Sequence, residues 1–253
     1  VDTDSLLARC ENICNKYESE KPTIRILHHL ACSGGSLISK CIASMANVFL
    51  LSEVHPYSYS QLPDDKPRFL PSDLATHAGF PESKDLAIKI FKSSIEQVHK
   101  HVHSRGAKLI LRDHSHSDFC VGDKGESDSV IIKLLEDDYN ILNIVTLRNP
   151  IDSYASLKSF GWIRFNPSTF DEYCHRVLLF LAQFQSSDIY FYEDFISAPH
   201  KNLKKYCDCL EIDFDDSYEY LFDAQKVTGD SGRKGEIIAP RERRKLDEAL
   251  IKE

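Results

Sequence analysis

Five short apolar runs, rich in β-branched residues, recur along the chain with helix-sized intervals between them: Thr23 to Leu30, Asn47 to Ser52, Lys108 to Arg112, Ile141 to Leu147 and Asp188 to Tyr192. Runs that are continuous rather than alternating suit strands buried on both faces of a parallel sheet. Helical patterns fall between them, at Ser36 to Met45, Lys84 to Ser104, Ser127 to Asp138, Ile151 to Phe160, Phe170 to Gln185 and Ala198 to Leu210. This alternation predicts a three-layer α/β fold, with a central parallel sheet of about five strands flanked by helices and joined by right-handed crossovers. Ligands in such sheets bind beyond the carboxyl ends of the strands, so the residues after each strand are the first places to look for chemistry.

The whole chain, 1–253, reads as one domain, because 42% hydrophobic residues are enough for a single sizeable core. Ten Gly and ten Pro exclude a collagenous or low-complexity chain. A net charge of −8 argues against a broad basic face, and so against a nucleic-acid polymer or an anionic membrane as partner. No apolar run approaches the roughly 20 residues of a spanning helix. The opening Val1-Asp2-Thr3-Asp4 has no signal-peptide character, and the one Met is Met45, which fits a trimmed N-terminus and leaves room for a lost anchor. Eight scattered Cys without a Cys-x-x-Cys pair predict thiols in a reducing, cytoplasmic compartment. Cys207 and Cys209 point about 200° apart on a helix, poor geometry for a shared metal.

Two stretches break the alternation. Residues 54–83 carry five Pro and no long periodic run. Residues 226–245 hold seven basic residues against three acidic ones, a local reversal of sign in an acidic protein.

Residues with chemical potential cluster after the strands. Ser33-Gly34-Gly35-Ser36 follows the first strand and opens a helix, an arrangement that offers backbone N–H groups and a positive helix end to an anion such as phosphate. The chain has no Gly-Lys-Ser/Thr triplet, which weakens an ATPase or kinase reading. Arg148 ends the fourth strand, Pro150 suits the first turn of the next helix, and Ser156 lies two turns along it. A guanidinium and a hydroxyl placed this way converge on one phosphate. After the third strand come Arg112, His114 and His116; His is suited to taking a hydroxyl proton near neutral pH. The two His would share a face if the strand continued. Glu53 closes the second strand and is a competing base, or an ordinary ion-paired acid. Metal binding at His114 and His116, or at His99 and His103 with their i,i+4 spacing, lacks a fitting third ligand, so no metal is expected.

These residues resemble the sulfotransferases that use 3′-phosphoadenosine 5′-phosphosulfate (PAPS), which share a P-loop-like fold. Ser33, Gly34, Gly35 and Ser36 are similar to that family's 5′-phosphosulfate loop, commonly Lys-Ser-Gly-Thr-Thr. Cys32 stands where the family has its Lys, and Lys40 and Arg112 are the candidate replacement cations. Arg148-Asn149-Pro150 with Ser156 resembles the 3′-phosphate motif in order and offset. Arg112-Asp113-His114 stands where the family has Lys-Thr-His, which implies a cation at Arg112 and a base at His114, with His116 or Glu53 as alternatives. Arg233-Lys234-Gly235 resembles the start of the family's late Arg-Lys-Gly-x-x-Gly loop, which closes on the nucleotide; Ile238 replaces the second Gly.

The resemblance implies transfer of a sulfuryl group from PAPS to a hydroxyl or amine, leaving 3′,5′-adenosine bisphosphate (PAP). The acceptor class stays open among small molecules, carbohydrates and lipids, its pocket shaped by residues 54–83 and 160–185. Trp162 either stacks on adenine, lines that pocket or packs in the core. A nucleotide-dependent kinase and a non-catalytic PAPS-binding scaffold of the same fold are the alternative readings, and oligomeric state is not legible.

Overall fold

The computed structural model describes residues 3–19, 21–57, 78–125, 128–229, 237–241 and 243. The expected strands are β1 (Thr23–His29), β2 (Val48–Val54), β3 (Lys108–Asp113), β5 (Asn140–Leu147) and β7 (Ile189–Phe191). They pair in parallel as one five-stranded sheet in the order β2-β3-β1-β5-β7. Two short strands, β4 (Val121–Gly122) and β6 (Arg164–Phe165), pair separately. The helices among the described residues are α1 (Thr3–Ser19), α2 (Gly35–Ala43), α3 (Ser83–His103), α4 (Ser115–Phe119), α5 (Val130–Leu135), α6 (Pro150–Phe160), α7 (Phe170–Leu181), α8 (Tyr192–Ser197), α9 (Pro199–Cys209) and α10 (Tyr218–Leu221).

Alternation along the strands sends apolar side chains to both faces of the sheet. On one face Ile24 and Ile26 pack with Leu109 and Leu111 of β3, Ile95 and Val102 of α3, and Ile131 and Leu135 of α5. On the other, Leu27 and Ile110 meet Leu37, Ile38 and Ile42 of α2 and Leu203 and Tyr206 of α9. A third cluster joins Val145 of β5 to Tyr154 and Leu157 of α6 and to Tyr173, Val177 and Phe180 of α7. Helices thus cover both faces, as the continuous apolar runs require. No helix among the described residues is long and apolar enough to cross a membrane.

Several boundaries move from their sequence positions for physical reasons. β3 ends at Asp113, and the chain turns into α4 with His114 as its cap residue at φ −90 and ψ 52. His114 and His116 therefore do not share a strand face. The helix expected over 127–138 is confined to α5, with Ser129 at its extended cap position. α1 has no counterpart in the sequence reading, and its Leu6, Leu7 and Ile13 are exposed. α6, by contrast, carries its signals openly, with Asn149 Oδ1 accepting from Ile151 N, Pro150 in the first turn and Gly161 left-handed at its end. Of the excursion at 54–83, residues 58–77 lie outside the described residues.

One buried cation ties the segment after β3 to the helical layer. Arg176 of α7, its side chain 0% exposed, donates to Glu172 Oε1 at 2.7 Å, to the carbonyls of Phe119 and Gly122 at 3.1 and 3.0 Å, and sits over the Phe165 ring. Its removal leaves the buried Phe119 carbonyl without this donor. Arg176→Met is expected to lower stability by about 3 kcal/mol in urea unfolding. Arg176→Lys should recover only part of that, because an ammonium cannot fork between the same acceptors.

Candidate active site

β1 lies between β3 and β5, so the residues after His29, Asp113 and Leu147 emerge side by side at one end of the sheet. The connection after β1 runs to β2 on one side of the sheet and the one after β5 runs to β7 on the other, so the carboxyl ends of β1 and β5 form a switch point where α/β sheets bind ligands.

The loop after β1 is shaped to present backbone. Cys32 and Gly34 both have positive φ, +63 and +88, and Ser33 between them closes the turn by donating from Oγ to Leu30 O at 2.7 Å. Gly34 caps α2 with no side chain to satisfy the first-turn N–H groups, which leaves a concave set of donors at the positive end of a helix. At Gly34 glycine is also a matter of space, and at Gly35 of space alone. A Cβ on Gly34 would lie 2.2 Å from the Tyr192 ring, and one on Gly35 would lie 2.1 Å from the His29 ring.

Arg112, at the end of β3, is 4% exposed and reaches five acceptors. Nε donates to His29 Nε2 at 2.8 Å, Nη1 to Ser52 Oγ and Thr228 O at 3.0 and 2.6 Å, and Nη2 to Ser36 Oγ at 3.1 Å, with Glu53 Oε1 3.5 Å from Nη2. Glu53 gets there through a register shift in β2 and a left-handed backbone at φ +55. Thr228 and Gly229 lie over the site: Thr228 N and Oγ1 both bond Ser52 Oγ, and Ser36 Oγ donates to Gly229 O.

Arg148 holds the loop from the β5 side. Nη1 donates to Cys32 O at 3.0 Å and approaches Ser156 Oγ at 3.4 Å, while the guanidinium sits 5.6 Å from the Tyr192 ring centroid. Asn149 N, the next residue, donates to Glu193 Oε1, which fixes the start of α6 against α8. Arg112 and Arg148 thus flank one loop, with Ser36 and Ser156 beside them.

Histidines and acids fill the space below. His114 sits among Glu53, His55, Asp113 and Arg112, and its proton affinity is lowered chiefly by burial, with Arg112 and His55 acting the same way against Glu53 and Asp113. His116 is buried inside α4, accepts from Ala31 N at 3.4 Å, and is pushed down to about 3, again chiefly by burial. His28 lies between Asp113 Oδ2 and Asn143 Oδ1, and Asp113 also accepts from Ser115 Oγ at 2.6 Å. Burial raises the Asp113 carboxyl, but these hydrogen bonds outweigh it and leave the group below its ordinary range. His55 Nε2 bonds Asp118 Oδ1 at 2.8 Å.

Of the residues expected from sequence, Ser33, Gly34, Gly35, Ser36, Arg112, Arg148, Ser156, His114, His116 and Glu53 all gather at this end of the sheet. Lys40 falls in the last turn of α2. Arg233, Lys234 and Gly235 lie outside the described residues. Trp162 stacks on Phe160 at 5.0 Å and packs against the third core cluster. Arg243 bonds Asp152 rather than the loop. His99 and His103 line a separate cavity of about 580 Å³ with Pro22 and Tyr139, at the opposite end of the sheet. Among the described residues no three His, Cys, Asp or Glu are grouped to hold a metal. Sequence reasoning missed His29, Ser52 and Tyr192; the available signal was a pair of His at the end of the first strand.

No protein-family model matches the sequence, and no curated protein matches it. Solved structures do. The sulfotransferase domain from the curacin biosynthetic pathway matches at 18% identity and a TM-score of 0.51, over 84% of this chain and 82% of that one. A sulfotransferase from Alicyclobacillus acidocaldarius matches at 14% identity and 0.42, over 81% and 91%. The mouse sulfotransferase SULT7A1, crystallised with PAP, matches at 15% and 0.42, over 81% and 65%. The first likeness is one of fold: the five-stranded α/β architecture here is that of a sulfotransferase domain.

The buried histidines set an acid dependence. His116 binds a proton near 6.5 when unfolded but only near 3 when folded, so stability falls as pH drops below 6.5. His29 and His114, also lowered, act with the same sign. Between pH 7.5 and 5, wild type should lose about 2 kcal/mol more than His116→Gln in urea unfolding. Equal losses would contradict this.

Proposed function

We propose that this chain is a PAPS-dependent sulfotransferase. The observation that carries the reading is the pair of guanidinium groups on either side of one helix-opening loop, Arg112 bonded to Ser36 and Arg148 bonded to Cys32 O and beside Ser156. PAPS carries anions at its 3′ and 5′ ends, and two cations across a loop of backbone donors suit that spacing of charge. In this reading the N–H groups of residues 33–36 take the 5′-phosphosulfate, Arg148 and Ser156 take the 3′-phosphate, and Arg112 faces the sulfuryl oxygens. Arg112 and Ser36 now bond Thr228 O, Glu53 and Gly229 O, and in this reading the sulfuryl oxygens exchange with these acceptors. The strap that carries Thr228 and Gly229 continues into the basic segment that holds Arg233 and Lys234.

His114 is the base in this reading. Burial keeps its imidazole neutral near pH 7, ready to take a proton, whereas His116 is spent on Ala31 N and Glu53 on Arg112. The acceptor oxygen or nitrogen attacks sulfur in line with the 5′-phosphate oxygen. A new O–S or N–S bond forms, the bond from sulfur to the phosphate oxygen breaks, the acceptor proton passes to His114, and PAP leaves with the electron pair. Arg112 offsets charge on the sulfuryl and the leaving phosphate, where fixed donors in a dry site count most. Positioning supplies much of the rest, as in phosphoryl transfer. The acceptor is a small molecule, carbohydrate or lipid in this reading. None of the described cysteines is in a disulfide, which supports a reducing, cytoplasmic setting.

The test is transfer of labelled sulfate from PAPS across a panel of phenol, sugar, lipid and amine acceptors. Arg148→Ala should weaken PAP binding by tenfold or more in calorimetry. His114→Ala should leave PAP binding within about threefold but lower kcat on any accepted substrate by about a hundredfold or more. Undiminished PAP binding by Arg148→Ala would remove the central contact of the reading.

A further inference from the structure

His29, the last residue of β1, is buried and accepts from Arg112 Nε at 2.8 Å through its Nε2. A guanidinium only donates, so Nε2 carries the lone pair and the ring is neutral. Its neighbours are consistent with that state: burial first, then Arg112, His28 and His114, all disfavour the imidazolium. With Nε tethered, the planar guanidinium has one orientation, and both terminal nitrogens point to Ser36, Ser52 and the strap. The imidazole itself fits only because residue 35 is glycine: an added Cβ would meet His29 Cδ2 at 2.1 Å and Nε2 at 2.2 Å. Gly35 has no positive φ, so the requirement there is space and not backbone conformation.

We propose that His29 is a positioning residue for the transferred group: seated in the notch left by Gly35, it holds Arg112 by Nε so that both Nη atoms face the sulfuryl end of the nucleotide. His29 touches no substrate in this account and acts only through Arg112. The inference rests on the sulfotransferase reading and adds to it the residue that aims the cation. It also gives Gly35 a task beyond offering its amide: the loop, β1 and β3 interlock through one imidazole.

The experiment is calorimetric binding of PAPS, without acceptor, to wild type, His29→Ala, His29→Gln, Gly35→Ala and the double variant H29A/G35A, with thermal midpoints recorded alongside. His29→Ala should weaken PAPS binding by about tenfold, and His29→Gln, whose amide oxygen offers the same kind of acceptor, should stay within about threefold of wild type. Gly35→Ala should cost about tenfold alone but little in the His29→Ala background, where its methyl enters vacated space. Equal losses for His29→Gln and His29→Ala, or losses at 29 and 35 that simply multiply, would overturn the proposal. Failure of wild type to bind PAPS, or unchanged binding by Arg148→Ala, would instead overturn the sulfotransferase reading, and the proposal with it. Should His29→Ala not fold, the comparison of His29→Gln with Gly35→Ala decides: a defect in the second alone supports the proposal, and none in either, or an equal one in both, overturns it.

Discussion

A guanidinium buried at the end of a parallel sheet is the contact on which this site is built. Taking Arg112 out of water costs several kcal/mol, and only a full set of acceptors offsets it. Those acceptors come from β1 (His29), β2 (Ser52 and Glu53), the α2 loop (Ser36) and the late strap (Thr228). Segments far apart in the chain are thereby fixed around one charge. The same requirement explains the local oddities: the register shift and positive φ that bring Glu53 inward, and the glycine that leaves room for His29.

Pleating explains how the charge is accommodated without a polar core. Leu27 pairs with Arg112 in the parallel register, so consecutive residues of β1 and β3 run alongside one another. His29 and Arg112 meet on the α2 side, while His28 and Asp113 meet on the other, closed by Asn143 and Ser115. Two polar residues in a row at the end of each strand therefore serve both faces, and the apolar runs below them stay intact. Net charge follows the same logic: a chain at −8 needs no basic surface when its positive groups converge on one loop.

Much of this was legible in the sequence. The five strands follow from continuous apolar runs, and the Arg148–Ser156 contact from an offset that spans two turns of a capped helix. Contacts between strand ends were not, because they depend on strand order and not on spacing along the chain. His29 and Arg112 lie 83 positions apart, and nothing local says that β1 and β3 are neighbours. A shared face for His114 and His116 depended on the strand continuing, and periodicity cannot see the turn at His114 that sends His116 inside α4 to hold Ala31. Of the two candidate loop cations, Lys40 sits in the last turn of α2, whereas Arg112 arrives from another strand and bonds Ser36 directly.

On the proposed function, the strand-end loop binds an adenosine nucleotide with separate 3′ and 5′ anions through arginines and backbone. The most direct measurement is the affinity of wild type for PAP against ATP, each with and without Mg²⁺, by titration calorimetry. PAP binding tighter than ATP and indifferent to Mg²⁺ is the predicted result. ATP binding more tightly, and only with Mg²⁺, would contradict the account and point to a phosphoryl-transfer enzyme on the same fold.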